Sequence, residues 1–220
     1  VNRVERMKVT TCLNPLHTAL SVFGCLLGYR KIYEEMQDEG IRTLVETIGY
    51  KEGLPVATDP GIIRPKDFLD TVLKVRIPNP FMPDTPQRIV TDTSQKLAVR
   101  FGETIRAYQE SDTLDVKTLK GIPLVLAGWL RYLMAVDDNG NSFELSPDPM
   151  LDTLKPCIDG LKLTEQQDVR SIIAPVLKMK EIFGVDLYDA GLADKVCGYL
   201  QSMTAGTGAV RRTLDKAMRE

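Results

Sequence analysis

The stretch Lys8-Val9-Thr10-Thr11-Cys12-Leu13-Asn14-Pro15-Leu16-His17-Thr18-Ala19-Leu20-Ser21-Val22-Phe23-Gly24-Cys25-Leu26-Leu27-Gly28-Tyr29 decides the fold. From Asn14 onward its residues are apolar on nearly every side, the pattern of a helix buried at the centre of a domain. Asn is favoured as a helix N-cap. Pro fits the first helical position, where its missing N–H would find no partner anyway. The pattern therefore predicts a central helix starting at Asn14-Pro15. Upstream, Val9 to Leu13 is rich in β-branched residues and reads as a short extended segment carrying Lys8.

Working outward, helical periodicity continues almost throughout. Further helices are predicted over about 38–49, 66–75, 86–109, 116–136, 147–160, 164–183, 190–203 and 207–219. Between the second and third of these, Arg76 to Pro86 holds prolines at 78, 80, 83 and 86. Pro donates no backbone hydrogen bond, so this is an ordered, largely extended loop. Asp137-Asp138-Asn139-Gly140-Asn141 is a turn that opens a short hairpin through Ser142 to Leu145. No regular alternation of strand and helix occurs, which excludes a parallel α/β sheet. The expectation is one all-α domain over residues 1–220; the start at Val1, without an initiator Met, is read as that of a processed product or of a piece cut from a longer chain.

The 220 residues are 43% hydrophobic and 26% charged. Those values exclude a disordered chain, a collagen-like fibre and a disulfide-dense scaffold. A net charge of −2 leaves no broad basic field, so nucleic acid is not an expected partner. Cys12, Cys25, Cys157 and Cys197 are widely spaced, without a Cys/His cluster, which argues against zinc and for free thiols. No signal peptide is evident, and the most apolar run, Ile122 to Val136, contains Arg131 and is shorter than a bilayer span. A cytoplasmic protein without a membrane partner is expected.

Candidate chemistry is sparse. Gly206-Thr207-Gly208-Ala209-Val210-Arg211 opens like a phosphate-binding turn, but Arg211 stands where a third glycine belongs and no strand precedes it. It reads as a helix–helix connection. Lys8, Asn14 and His17, the one histidine, form a second candidate. Asn14 and His17 fall at the predicted positive end of the central helix, where an oxyanion is favoured. An Asn amide can donate to an alkoxide and a Lys can exchange a hydroxyl proton. The alternative gives Asn14 a cap's role, packs His17 in the core and leaves Lys8 in solvent. Arg88, Asp92 and Lys96, four apart on the predicted 86–109 helix, form a third candidate. They are either an exposed ion-pair ladder or a basic pair that meets substrate hydroxyls or a carboxylate. Trp129 and Tyr132 are expected in the core with polar tips turned outward. Ser146 is expected as a cap or turn former, and the charged C-terminus as a solvated helix face.

Taken together, these stretches resemble the C-terminal domain of the mannitol dehydrogenase family, the polyol-specific long-chain dehydrogenases that include fructuronate (mannonate) and tagaturonate reductases. The resemblance covers nearly the whole chain. It rests on Lys8…Leu13-Asn14-Pro15-Leu16-His17, on Gly28-Tyr29, and on Arg76-Ile77-Pro78-Asn79-Pro80-Phe81-Met82-Pro83-Asp84-Thr85 leading to Arg88-Ile89 and Ser94-Gln95-Lys96-Leu97. Gly128-Trp129-Leu130-Arg131-Tyr132-Leu133, Asp148-Pro149 and Phe183-Gly184-Val185-Asp186-Leu187 complete it.

The resemblance implies a helical substrate domain with a 6-phosphogluconate dehydrogenase C-terminal-like fold. It also implies a Rossmann domain, absent from this chain, that binds NAD or NADP, and a reaction without metal. By the same resemblance Lys8 is the general acid/base and Asn14 holds the alkoxide, while His17, Arg88 and Lys96 bind a sugar alcohol or sugar acid. The chain alone is expected to be inactive. Lys8 and Asn14 are six residues apart where the family pattern implies five, so a one-residue bulge must be accommodated. Were Lys8 out of register, Arg6 would be too basic to replace it. Two other readings remain open at this point: a non-enzymatic helical interaction module, and the helical domain of another dehydrogenase family.

Overall fold

A computed structural model describes residues 2–220; Val1, with the boundary read from it, lies outside them. Among the described residues the chain is helical, and its one β feature is an isolated antiparallel bridge between Val136 and Ser142 in place of the expected hairpin. The chain begins with α1 (Asn2–Met7), which runs directly into a π-helical turn (Lys8–Cys12) and then into α2 (Asn14–Leu27). Within the Asn2–Leu27 run an 18-residue window has a mean hydropathy of 1.2, yet 72% of that window is buried inside the protein, so it is a core element.

The short α3 (Ile32–Glu35) and α4 (Glu39–Glu46) follow, then α5 (Pro65–Thr71), α6 (Pro86–Ile89) and α7 (Glu103–Gln109). Every residue of α8 (Gly121–Tyr132) is buried, because no face of this helix is polar. The remaining helices are α9 (Leu151–Ile158), α10 (Val169–Leu177), α11 (Lys180–Phe183), α12 (Ala193–Met203) and α13 (Ala209–Arg219). The core forms where α8 packs on α12 and α2. Trp129 of α8 stands edge-on to Phe183 with ring centres 6.1 Å apart.

Several expectations are corrected. The Val9–Leu13 segment is helical, not extended. It continues α1, and its threonine hydroxyls donate to carbonyls four residues back, Thr10 to Arg6 (2.7 Å) and Thr11 to Met7 (2.8 Å). Burial of Thr10, Thr11 and Cys12 outweighs a β preference that is small in any context.

The predicted 86–109 helix is broken. It stops after one turn at Ile89, Asp92 sits in the left-handed region (φ 54°), and only a 3-10 turn (Thr93–Gln95) precedes the helix that resumes beyond Lys96. Bonds from a distant segment replace the helical ones. The Asp92 N–H donates to the Pro147 carbonyl (2.9 Å), and the Ser94 N–H to Asp148 Oδ2 (2.8 Å). Ser146 caps nothing; its hydroxyl donates to the Gln87 carbonyl (2.6 Å). The Tyr132 hydroxyl accepts the Ser146 N–H, whereas the Trp129 N–H is buried without a partner. On α13 the charged face is partly docked: Arg211 forks onto Asp38, which also accepts the Tyr29 hydroxyl (2.7 Å).

The glycine-rich 206–208 turn joins α12 to α13, as read from the sequence. Its helix end is filled by the chain itself. The buried Asp138 carboxylate accepts the Val210 (2.8 Å) and Arg211 (3.0 Å) N–H groups, and the Asp138 carbonyl accepts the Gly208 N–H (2.7 Å). A phosphate would have to displace a carboxylate already seated on those donors. All four cysteines are free thiols.

Candidate functional site

The site is built around the start of α2. The N-cap of this helix is Leu13, not Asn14, and Asn14 is its first residue. Among the described residues no hydrogen bond uses the Asn14 side-chain amide, so it is not spent on capping. The positive helix end expected there is also largely absent. Pro15 has no N–H, and the Leu13 N–H bonds back to the Lys8 carbonyl (3.1 Å), which removes two of the four donors a helix start leaves free. The positive charge at this place comes from side chains instead.

Close approach brings those side chains in. A Cβ at Gly24 would lie 2.6 Å from Cγ of Pro86, so only glycine lets the α6 turn rest against α2. That contact places Arg88, on α6, near His17. Thr85 caps the turn by accepting the Arg88 N–H (3.2 Å). Arg88 does not form the predicted ladder with Asp92. Its guanidinium forks onto Asp84, with Nε 2.7 Å from Oδ1 and Nη2 on Oδ2. Burial alone would raise the Asp84 carboxyl, but Arg88 and the Thr85 N–H hold it below its ordinary value.

Lys96 lies just past the break and turns back on it. Its ammonium donates to the carbonyls of Ile89 (3.3 Å) and Thr91. Arg100, on the π-helical turn Ala98–Gly102, reaches α2 and donates from Nη1 to Thr18 Oγ1 (2.8 Å). The Thr18 hydroxyl in turn donates to the Asn14 carbonyl (3.3 Å). His17 is thus ringed by Arg88, Asp84 and Arg100. Burial chiefly pushes its pKa below 6.5, and both arginines add to that, so the imidazole is neutral near pH 7. Burial likewise lowers Lys96, with Arg100 and Arg88 acting in the same direction.

Of the five residues singled out from sequence, His17 and Lys96 each lie near Arg88 and Arg100, and Asn14 is one helical turn from Thr18. Lys8 lies upstream on the same helical run and is not among the principal charges acting on His17 or Lys96. Its ammonium contacts Glu5 Oε1 at 3.0 Å. The π turn bears on its register. The Leu13 N–H reaches back five residues to the Lys8 carbonyl (3.1 Å), and such winding holds one residue more than an α turn. The chain thus has a one-residue bulge between Lys8 and Asn14.

Glu5, Asp84 and Arg100 were missed as site residues. Arg100 had a visible signal, since it follows Lys96 by four residues. No group of three or more His, Cys, Asp or Glu side chains among the described residues is placed to hold a metal.

The described residues form an all-α domain in which a neutral imidazole and an uncommitted amide on α2 lie near cationic side chains of α6 and of the turn after it. The family model for the mannitol dehydrogenase C-terminal domain matches residues 1–204, and the chain belongs to that family. It is 52% identical over 218 residues to a D-mannonate oxidoreductase of Thermotoga maritima, covering 99% of this chain and 40% of that protein. It is 28% identical over 190 residues to a mannitol 2-dehydrogenase of Emericella nidulans, covering 85% of this chain and 34% of the relative. Among solved structures, mannitol 2-dehydrogenase of Pseudomonas fluorescens, in a ternary complex with NAD and D-mannitol, superposes with a TM-score of 0.83 at 25% identity. That match covers 100% of this chain and 42% of the neighbour. The chain thus spans about two fifths of the length of these relatives.

Proposed function

We propose that this chain is the substrate domain of an NAD(P)-dependent oxidoreductase that interconverts a secondary alcohol of a sugar acid or sugar alcohol with the matching ketone. The observation that carries the reading is that Arg88 and Arg100 lie near both His17 and Lys96, with Arg100 linked through Thr18 to Asn14, whose amide is uncommitted. An interaction module without catalysis would leave these residues scattered. Identity of 52% to a mannonate oxidoreductase favours the mannonate/fructuronate pair, and the solved neighbour favours NAD. A Rossmann domain outside this chain would bind the cofactor, which supplies a hydride acceptor or donor at the nicotinamide ring.

This chain's own residues supply the rest. Lys8 takes the hydroxyl proton during oxidation and returns it during reduction. The Asn14 amide donates to the oxygen as negative charge develops on it, a bond stronger in the transition state than in the ground state. His17, neutral near pH 7, exchanges hydrogen bonds with substrate hydroxyls without adding charge.

The test is a panel of fructuronate, tagaturonate, fructose, mannonate and mannitol with NAD and NADP, run on full-length protein and on the 220 residues alone. Turnover by the full-length protein and silence of the domain are expected. Cofactor-dependent turnover by the isolated domain would defeat the assignment of the cofactor to another domain.

A further inference from the structure

Both carboxyl oxygens of Glu35, the last residue of α3, are buried without a hydrogen-bond partner, and no other carboxyl among the described residues is left so. The place they occupy is the joint between α2 and α6. A Cβ at Gly24 of α2 would collide with Glu35 Oε1 as well as with Pro86, so the carboxyl and the proline ring fill one notch on that helix. Two hydrogen bonds tie the same joint. The Ile32 N–H donates to the Asp84 carbonyl (3.2 Å), and Gln87 Nε2 donates to the Tyr29 carbonyl (3.1 Å). The Asp84 carboxylate in turn closes the Arg88 fork. A shift at Glu35 is therefore passed through Asp84 to Arg88.

The charged and titratable groups around Glu35 give it no counter-charge. Asp38, past the end of α3, is itself an anion, held by Arg211 of α13 and by the Tyr29 hydroxyl. From α2 comes the Cys25 thiol, which burial first and the charge of Glu35 second push up to about 12, while Arg30 acts on it weakly in the other direction. On the α6 side Arg88 and Asp84 are paired with each other. Glu34, next in the chain, accepts from the Tyr33 hydroxyl (3.4 Å). A carboxylate without donors is too costly in such a place, so the group is neutral while the joint is closed. Burial, with Asp38 adding to it, raises its pKa well above the ordinary value.

We propose that Glu35 is a positioning residue that acts through Arg88: its uncharged carboxyl wedges the Asp84–Arg88 segment against α2, and its ionisation opens that joint and weakens substrate binding. Ionisation releases one proton to solvent and leaves an anion that must reach water, which displacement of Pro86 from the Gly24 notch provides. The inference rests on the oxidoreductase reading for the role of Arg88 and adds a pH-sensitive support beneath it. Glu35 touches no reacting atom, so its effect falls on KM more than on kcat.

The experiment uses full-length wild type, Glu35→Gln, which keeps the shape and cannot ionise, and Glu35→Met, which is apolar and of similar length. KM and kcat for D-mannonate are measured from about pH 6 to about pH 9. Difference infrared spectra report the protonated carboxyl over the same range. Amide exchange at Arg88 and Ile89, whose N–H groups bond to Thr85, reports the α6 turn. In wild type the carboxyl band that Glu35→Gln lacks should fade as pH rises. KM should rise with it, by about tenfold for each pH unit past the midpoint, as the competent fraction falls. The two amides should exchange faster than in Glu35→Gln at equal pH. Both variants should flatten the KM rise, leaving only the change due to groups that all three proteins share.

An equal KM rise in wild type and Glu35→Gln, a change confined to kcat, or no KM rise in wild type would overturn the proposal. If Glu35→Gln fails to fold, Glu35→Met carries the comparison. Should neither fold, coincidence of the exchange and KM transitions in wild type decides it. Absence of turnover with either cofactor would overturn the oxidoreductase reading instead. The carboxyl band and the exchange at Arg88 would then decide the wedge by themselves.

Discussion

The starts of α8 and α13 differ in one respect from the cation cluster around His17. All three places concentrate positive charge, but only the first two are neutralised by the chain. At α8 the buried Glu52 carboxylate accepts the N–H groups of Lys120 (2.5 Å), Gly121 (2.7 Å) and Ile122 (2.9 Å). At α13 Asp138 does the same for Val210 and Arg211. Beside His17 the one carboxylate in ion-pair contact, Asp84, is held by Arg88, and Lys96 and Arg100 are left over. A helix end inside a core must be satisfied for the domain to fold, whereas a cleft can keep unbalanced charge for a ligand. On the proposed reading the unbalanced place is the functional one, and the two balanced ends are structural.

That contrast can be broken in graded steps. The largest effect is expected from Lys8→Ala in the full-length enzyme, with kcat falling by about 10²–10⁴-fold and an unchanged melting temperature. Activity near wild type would remove Lys8 from the mechanism. Next, Glu52→Ala should cost about 3 kcal/mol in denaturant unfolding, since it strands the buried N–H groups at the start of α8. Asp138→Ala should cost less, about 2 kcal/mol, because Asp138 engages two donors rather than three. If either loss were matched by a selective change in substrate KM, the division between structural and functional charge would fail.

Glu35 sharpens the comparison from the other side. It is fully buried, neither carboxyl oxygen has a partner, and burial raises its pKa well above 4.5, with Asp38 adding to the effect. A raised folded-state value stabilises the native protein below about pH 4.5, and that stability is lost as pH rises through the folded-state pKa. Glu35→Gln should therefore gain on wild type by about 1 kcal/mol at pH 8 compared with pH 4.5, read from melting curves. A pH-independent difference would mean that the carboxyl is not held protonated.

The smallest effect concerns His17, whose folded value is lowered. Its contribution to stability is present above pH 6.5 and is lost as pH falls through the folded-state value. Its NMR titration midpoint, assigned with a His17→Asn control, should lie below 6.5 and move up when D-mannonate adds negative charge beside it. A midpoint at or above 6.5 in the free enzyme would contradict a half-buried imidazole near Arg88 and Arg100.

Much of this was readable from the chain. Uninterrupted apolar runs marked α2 and α8 as core helices, and the missing third glycine together with the lack of a preceding strand excluded a nucleotide turn at Gly206. His17, Arg88 and Lys96 stood out as candidates because their types suit the chemistry, and Arg88 lies close enough to act on both His17 and Lys96. Less legible were Val9 to Leu13, where threonine side-chain bonds and burial override β preference, and the break at Asp92. That break depends on Pro147 and Asp148, more than fifty positions away.

By itself the sequence determined the all-helical class, the central helix and the residue types of the site, because periodicity and side-chain chemistry are local properties of the chain. Only the tertiary structure decided which charges are cancelled. Whether Arg88 faces Asp84 or Asp92, whether Glu52 and Asp138 seal helix ends, and whether Arg100 lacks a counter-ion all depend on contacts between distant segments. Coulomb and hydrogen-bond energies are set by distances in space and not by spacing along the chain.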